Sequence, residues 1–168
     1  MHDPVFPTLL DGRVAFVTGG GRGLGLAVAE AFAAAGARGA VADLSDGDAP
    51  QGWLSLACDV TDAASIEAAM ARTIDRFGRL DSVVANAGVV PPWSETASID
   101  LDAWDRTFAV NVRGVIATIR AAVPHLAVRG GSIVAMSSLN GFRGHPHQAA
   151  YVASKHAVIG IVKSTARD

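Results

Sequence analysis

The residues with the most direct chemical use are a tyrosine and a lysine four positions apart, Tyr151 and Lys155. On a helix, residues at this spacing share one face, so the Lys155 ammonium can stabilise the phenolate of Tyr151. Such a phenol can exchange a proton near neutral pH, as the interconversion of an alcohol and a carbonyl requires when hydride moves to or from a nicotinamide. The same spacing is also typical of a solvated surface pair.

Two serines, Ser137 and Ser138, follow a predicted strand and precede this pair. Ser138 stands 13 residues before Tyr151, where its hydroxyl could donate a hydrogen bond to the substrate oxygen and polarise it. Ser137 is its competitor for this role.

Three glycines near the amino terminus indicate where a nucleotide would bind. Gly19, Gly23 and Gly25 follow an apolar run in the spacing G-x-x-x-G-x-G, which differs from the better-known G-x-G-x-x-G fingerprint. We expect Gly19 to turn the chain, Gly23 to admit the pyrophosphate and Gly25 to let the next helix pack closely. The N–H groups at the start of that helix would face the phosphates. The alternative is a glycine turn with no ligand.

An aspartate at the end of the second predicted strand favours NAD over NADP. Asp43 lies 18 residues beyond Gly25, where its carboxylate can accept hydrogen bonds from the adenosine ribose hydroxyls. An ionised Asp43 would also repel the 2′-phosphate of NADP. Arg22 could offset part of that repulsion, and capping a turn is the alternative role for Asp43.

The elements that must position these residues alternate between strand and helix. Apolar segments predict strands at 14–17, 40–43, 53–58, 80–85 and 132–136, and helical periodicity predicts helices at 23–35, 63–77, 101–126 and 149–168. This order specifies an α/β fold with a doubly wound parallel sheet, whose ligands bind at the carboxyl ends of the strands.

Segments between these elements add further expectations. Asp59 and Val60, after the third strand, should lie at the adenine, and Asn86-Ala87-Gly88 follows the fourth strand at the same edge. Residues 44–52 are rich in turn formers, so we expect a loop there instead of a crossover helix. Pro124 is expected to kink or end its helix.

Composition excludes several classes of function. The chain has 168 residues, 50% of them hydrophobic, and a net charge of −2 without charge runs, which argues against nucleic-acid or membrane binding. Its single cysteine, Cys58, is expected to be a small buried hydrophobe, and it fits a cytoplasmic protein. Residues 1–12 are interpreted as a leader that precedes a single domain.

Together these motifs resemble the classical short-chain dehydrogenases/reductases over nearly the whole chain. The resemblance rests on Thr18-Gly19-x-x-x-Gly23-x-Gly25, the Asp59 turn, Asn86-Ala87-Gly88, Asn111, Ser138 and Tyr151-x-x-x-Lys155. It implies that residues 13–168 form an NAD-binding Rossmann domain, with Arg22 and Leu24 of the glycine turn also at the cofactor.

The resemblance also assigns the catalytic roles. It selects Ser138 over Ser137, and it implies that Lys155 holds the nicotinamide ribose as well as assisting Tyr151. It further implies that Asn111 supports a water-mediated proton relay to Lys155. Asn111, Ser138, Tyr151 and Lys155 are therefore the expected catalytic residues.

The predicted function is an NAD(H)-dependent oxidoreductase that interconverts a secondary alcohol and a ketone. Family members commonly form dimers or tetramers through the helices predicted here at 101–126 and 149–168, so a homo-oligomer is expected. They usually continue through two further strands and a substrate-binding segment, which this domain is expected to lack. The alternative is a module that binds nucleotide, or associates with other chains, without turnover.

Two histidines in the loop before the last helix do not suggest a metal site. His145 and His147 are two positions apart and have no third ligand in view. We expect them to border the substrate pocket. Trp93 could contact substrate or pack against the domain, and the sequence does not favour either role.

Overall fold

The computed structural model describes residues 9–45 and 47–168, so most of the predicted leader lies outside the described residues. Five parallel strands form one sheet: β1 Val14–Thr18, β2 Arg38–Asp43, β3 Leu54–Ala57, β4 Ser82–Ala85 and β5 Ser132–Ala135. Their spatial order is β3-β2-β1-β4-β5, which reverses direction between β1 and β4. The predicted doubly wound α/β fold is therefore confirmed, and its ligand crevice is expected at this reversal.

Five α-helices cover the sheet: α1 Gly23–Ala34, α2 Ala63–Phe77, α3 Leu101–Phe108, α4 Gly114–Leu126 and α5 Ala149–Thr165. Helices α2 and α4 pack on one face, where Phe16, Ile66 and Leu126 belong to one core cluster. Helix α1 packs on the other face, beside Val17 and Val41. Because both faces are covered, all five residues of the central strand β1 are buried, and only the last of them, Thr18, is polar.

The connection between β2 and β3 is a loop, as the turn formers predict. No helix lies between Asp43 and Leu54 in the part of this connection that the structure describes. The backbone N–H of Gly47 donates to Ser55 Oγ (3.1 Å), and Trp53 Nε1 donates to the carbonyl of Ala37 (3.2 Å). These bonds hold the loop against the sheet without a crossover helix.

The prediction of one continuous helix at 101–126 is wrong. A π-helical turn, Ala109–Arg113, separates α3 from α4. The turn brings the Asn111 side chain into hydrogen bonds with the backbone of Val89, and such turns often occur at functional sites. Pro124 lies inside α4, and the helix ends two residues beyond it at Leu126.

The amino-terminal edge of the sheet is held by a buried carboxylate that the sequence analysis did not single out. Asp81 accepts hydrogen bonds from the backbone N–H of Val14 (2.9 Å), from Arg79 and from Arg13. Burial alone would raise the pKa of Asp81, but these donors hold the pKa below its ordinary value. This cluster lies at the opposite end of the strands from the predicted cofactor edge.

Candidate functional site

A cleft of about 860 Å³ opens at the carboxyl ends of the strands. It brings together most of the predicted site residues: Gly19, Arg22, Leu24, Gly25, Asp43, Asp59, Val60, Asn86, Ala87, Gly88, Tyr151 and Lys155. Three others, Gly23, Asn111 and Ser138, are not among the described residues that line it. The cleft also includes Cys58, Pro91 and Arg106, which were not predicted to lie there.

The glycine turn after β1 has a shape that only glycine allows. Gly19 and Gly23 have φ angles of 62° and 56°, in the left-handed region. A Cβ atom at Gly25 would overlap the carbonyl oxygen of Gly19, so α1 begins in direct contact with the turn. A Cβ at Gly23 would meet nothing within 4 Å, which leaves open space at this point of the backbone.

Thr18 and Asn86 lock this turn to the neighbouring strand. Asn86 Nδ2 donates to the carbonyls of Thr18 (2.9 Å) and Gly19 (3.0 Å). Thr18 Oγ1 accepts from the backbone N–H groups of Asn86 (3.1 Å) and Ala87 (3.2 Å). The glycine motif alone predicts no role for Thr18. A polar residue that ends an apolar strand directly before the first glycine is the sequence signal for this role of holding the turn.

Asp43 lies at the cleft, half-buried, at the end of β2. Its Oδ2 accepts from the backbone N–H of Gly21 (3.1 Å), and its Oδ1 accepts from that of Leu44 (2.9 Å). Each carboxylate oxygen still has a lone pair for a further donor. Arg22 is exposed at the start of α1, and no side-chain hydrogen bond caps that helix.

The far end of the cleft is formed by the turn after β3. Asp59 Oδ1 accepts from the N–H and the hydroxyl of Thr61, both at 2.8 Å, so this carboxylate shapes its own turn. Val60 is buried against Gly114, where a Cβ would lie 2.9 Å from a Val60 methyl carbon. Burial raises the pKa of the Cys58 thiol, and the residue is buried as expected.

Tyr151 and Lys155 meet at the other end of the cleft, on α5. Lys155 Nζ lies 5.7 Å from the centroid of the Tyr151 ring and donates a hydrogen bond to the carbonyl of Met136 (2.8 Å). The Lys155 side chain is only 5% exposed, and this burial lowers its pKa. The ammonium keeps two further N–H donors that can be directed toward the cleft.

Asn111 is completely buried behind this pair. Its Oδ1 accepts from the N–H of Val89 (2.8 Å), and its Nδ2 donates to the carbonyl of Val89 (2.9 Å) and to Ser154 Oγ (3.1 Å). Both amide hydrogens are committed, so the side chain can only accept further hydrogen bonds.

The two candidate serines are placed differently. Ser137 lines the cleft, but its hydroxyl donates to the backbone carbonyl of Lys155 (2.9 Å). Ser138 lies next to that wall, and its hydroxyl oxygen accepts from the N–H of Asn140 (3.2 Å). Ser138 Oγ donates no hydrogen bond to any residue that the structure describes, so its hydrogen is free for a ligand.

A smaller cavity of about 240 Å³ adjoins the cleft and shares Pro91, Pro92 and Ala103 with it. His147 lines this cavity, while His145 contacts Trp93 edge to face with ring centroids 5.2 Å apart. Within residues 9–45 and 47–168, no group of three or more His, Cys, Asp or Glu side chains could hold a metal ion. No helix in the same ranges is long and apolar enough to cross a membrane.

Comparison with known proteins gives consistent results. The family model for short chain dehydrogenase matches residues 13–168. Short-chain dehydrogenase reductase 5 of Arabidopsis thaliana is 38% identical over 165 residues, which cover 92% of this chain and 64% of the relative. This chain thus spans less than two thirds of that protein's length.

Two solved structures share the fold at similar identity. Levodione reductase superposes with a TM-score of 0.89 at 33% identity, covering 94% of this chain and 66% of the other. The 3-ketoacyl-(acyl-carrier-protein) reductase of Brucella melitensis, solved with NADH, has a TM-score of 0.87 at 30% identity, with coverages of 93% and 69%. With the glycine turn, the Asn86 anchor and the Tyr151/Lys155 pair in one cleft, this chain belongs to the short-chain dehydrogenase family.

Proposed function

We propose that this chain is an NAD(H)-dependent oxidoreductase that interconverts a secondary alcohol and a ketone. One observation carries the proposal: the Tyr151 phenol and the buried Lys155 ammonium line the same cleft as the glycine turn. A proton-transferring group and a phosphate-binding backbone in one cleft are the two parts that hydride chemistry at a carbonyl requires.

The residues present fit a nicotinamide dinucleotide. Two glycines of the cleft wall lie at closely packed points: a Cβ at Gly25 would overlap the Gly19 carbonyl oxygen, and a Cβ at Gly88 would lie 3.3 Å from Asn111 Oδ1. Gly19 to Gly25 would hold the pyrophosphate, Asp43 the adenosine ribose, Asp59 and Val60 the adenine, and Lys155 the nicotinamide ribose. When bound, the nicotinamide supplies or accepts the hydride.

The protein's own residues handle the proton. Tyr151 donates a proton to the ketone oxygen in reduction and accepts it from the alcohol in oxidation. The positive charge of Lys155 favours the phenolate, and it acts strongly because it is shielded from water. Ser138, whose hydrogen is free, would donate to the same substrate oxygen and polarise it. Asn111 would support a water-mediated proton relay to Lys155.

NAD is the proposed cofactor rather than NADP. Asp43 places a carboxylate at the end of β2, and both of its oxygens retain acceptor capacity for ribose hydroxyls. A 2′-phosphate beside this carboxylate would be repelled. Arg22 lines the same cleft and would offset only part of the repulsion.

The proposed setting is a cytoplasmic homo-oligomer, a dimer or tetramer, that acts on a small-molecule alcohol or ketone. Partly exposed apolar side chains on α4 and α5, including Ile116, Val123 and Val162, support association through these helices. Sedimentation velocity tests this part, and a monomer at micromolar concentration would contradict it.

Turnover tests the main proposal. The purified chain is mixed with NAD and a panel of secondary alcohols, and NADH absorbance is followed. We expect NADH to form with at least one alcohol and the rate to fall at least about 100-fold in Tyr151→Phe. Thr165→Val, which removes a hydroxyl bonded to the Ile161 carbonyl on the same helix, should keep the rate. Saturable NAD binding with no turnover would support the alternative, a nucleotide-binding module.

A further inference from the structure

A buried serine ties the catalytic helix to the rest of the site. Ser154 lies between Tyr151 and Lys155 on α5 and is completely buried. Its hydroxyl donates to the backbone carbonyl of Tyr151 (2.8 Å) and accepts from Asn111 Nδ2 (3.1 Å). The hydroxyl hydrogen is therefore committed inside the protein, and the buried side chain cannot reach a ligand.

The bridge continues beyond α5 into the loop after β4. Asn111 exchanges two hydrogen bonds with the backbone of Val89, so three segments meet at this amide: α5, the π-helical turn and the loop. Gly88, next to Val89, also lies close to Asn111 and Lys155. A Cβ added to Gly88 would lie 3.3 Å from Asn111 Oδ1 and 3.6 Å from Lys155 Nζ.

The orientation of α5 determines where its cleft-facing side chains lie. Successive helical residues are about 100° apart around the axis, so a small rotation of α5 moves both Tyr151 and Lys155. On the β5 side, the helix is held by the bonds of Ser137 to the Lys155 carbonyl and of Lys155 Nζ to Met136. The bond from Asn111 to Ser154 holds it from the side of the π-helical turn.

We infer that Ser154 is a positioning residue, which acts through Asn111 to keep the Lys155 ammonium beside the Tyr151 phenol. The inference rests on the proposed pairing of Tyr151 and Lys155 in proton transfer. Removing the hydroxyl leaves an Asn111 donor without its buried acceptor and loosens α5 on the side of the π-helical turn. The ammonium then stabilises the phenolate less well.

The chain offers a direct measurement, because it contains one tyrosine. The ultraviolet absorbance of tyrosinate in a pH titration therefore reports on Tyr151 alone. In Ser154→Ala we expect the tyrosinate absorbance to appear at higher pH than in the unmutated chain, because the ammonium is held less firmly beside the phenol. Lys155→Met, which removes the ammonium, should move the titration midpoint further in the same direction.

Thr73→Val is the matched control. The Thr73 hydroxyl is also completely buried and donates to a carbonyl of its own helix, that of Ala69 (2.9 Å), but on α2. Its loss should leave the Tyr151 midpoint unchanged. The inference would be overturned if the Tyr151 titration midpoint of Ser154→Ala equalled that of the unmutated chain. It would also be overturned if Thr73→Val shifted this midpoint as much as Ser154→Ala does.

Two further measures keep the test decisive. If Ser154→Ala does not fold, Ser154→Cys replaces it, because a thiol has similar size and hydrogen-bonds weakly. The titration needs neither cofactor nor substrate, so a failure of the proposed turnover would leave its result intact. An unchanged midpoint in Lys155→Met would overturn both the pairing and the inference.

Discussion

The strands β1 and β5 lead to the two ends of the same cleft, but they are supported very differently. β1 is paired on both sides, and all five of its residues are buried. β5 pairs only with β4 among the residues described, and Val134 is 50% exposed. The glycine turn after β1 therefore follows a fully buried strand and is held by close contact at Gly25 as well as by hydrogen bonds, whereas the serines after β5 follow a partly exposed strand and depend on hydrogen bonds alone.

This difference separates two ways of building a site. The glycine-turn end, where we propose that the cofactor binds, includes a backbone contact at Gly25 that leaves no room for a side chain. The end with Tyr151, where we propose that proton transfer occurs, is shaped by a few directional bonds from Ser137, Lys155 and Ser154. Substitutions should therefore act at the glycine-turn end through steric overlap and at the Tyr151 end through orientation.

The largest expected effect is at the glycine turn. Gly25→Ala forces a Cβ into the Gly19 carbonyl, so we expect a loss of about 3 kcal/mol or more in the free energy of unfolding. NAD binding should be lost with it. Gly160→Ala on α5, where a Cβ meets nothing within 4 Å, is the control and should be neutral or slightly stabilising. Chemical denaturation measures the free energy of unfolding of both variants. A Gly25→Ala protein that is as stable as the unmutated chain and binds NAD would refute the steric account.

The next effect tests the opposite edge of the sheet. Asp81→Asn removes the charge that faces Arg13 and Arg79, so we expect a loss of about 2–3 kcal/mol at pH 7. NAD affinity should remain unchanged in the folded fraction. Because the folded-state pKa of Asp81 is lowered, its contribution is complete above about pH 4 and is lost as pH falls further. Equal pH dependence of unfolding in both proteins below that pH would contradict this role.

A smaller effect is expected on cofactor choice. Asp43→Ala removes the repulsion of the 2′-phosphate, so the preference for NAD over NADP should shrink by about tenfold or more. NAD affinity should also fall, because Gly21 loses its acceptor in the turn. Calorimetric titration with both dinucleotides measures this, with Asp48→Ala, an exposed carboxylate, as control. Equal affinities of the unmutated chain for NAD and NADP would contradict the proposed role of Asp43 in cofactor choice.

The smallest effect should come from an exposed ion pair away from the cleft. Arg120 on α4 donates to Glu67 on α2 (2.7 Å), and both side chains are more than half exposed. Arg120→Ala should therefore change the free energy of unfolding by only about 0.5 kcal/mol, and less at high salt. If Arg120→Ala lowered the free energy of unfolding as much as Asp81→Asn does, exposed ion pairs would stabilise this fold as strongly as buried ones. That result would contradict the account.

Much of the fold could be predicted from local sequence pattern. The apolar runs around Val17, Val41 and Val84 mark the buried strands, and the glycines and turn formers mark the ends of the elements. Because carboxyl ends of parallel strands share an edge, the same pattern places Asp43 and Asn86 at one cleft.

Other features depend on contacts between distant parts of the chain. The π-helical turn at Asn111 has no periodicity of its own, because the apolar spacing continues across it. The bridge from Ser154 to Asn111 and the bonds from Arg13 to Asp81 span dozens of residues. Such pairings are decided by tertiary packing, so neither the broken helix nor these two anchors could be predicted.

Isotope transfer tests the central claim most directly. A secondary alcohol deuterated at the carbinol carbon is incubated with the chain and NAD, and the NADH formed is analysed by mass spectrometry. The account predicts a single deuterium in each NADH and at least about a 100-fold slower reaction in Tyr151→Phe, with NAD affinity retained. NADH without deuterium, an equal rate in Tyr151→Phe, or no NADH at saturating NAD across the alcohol panel would contradict it.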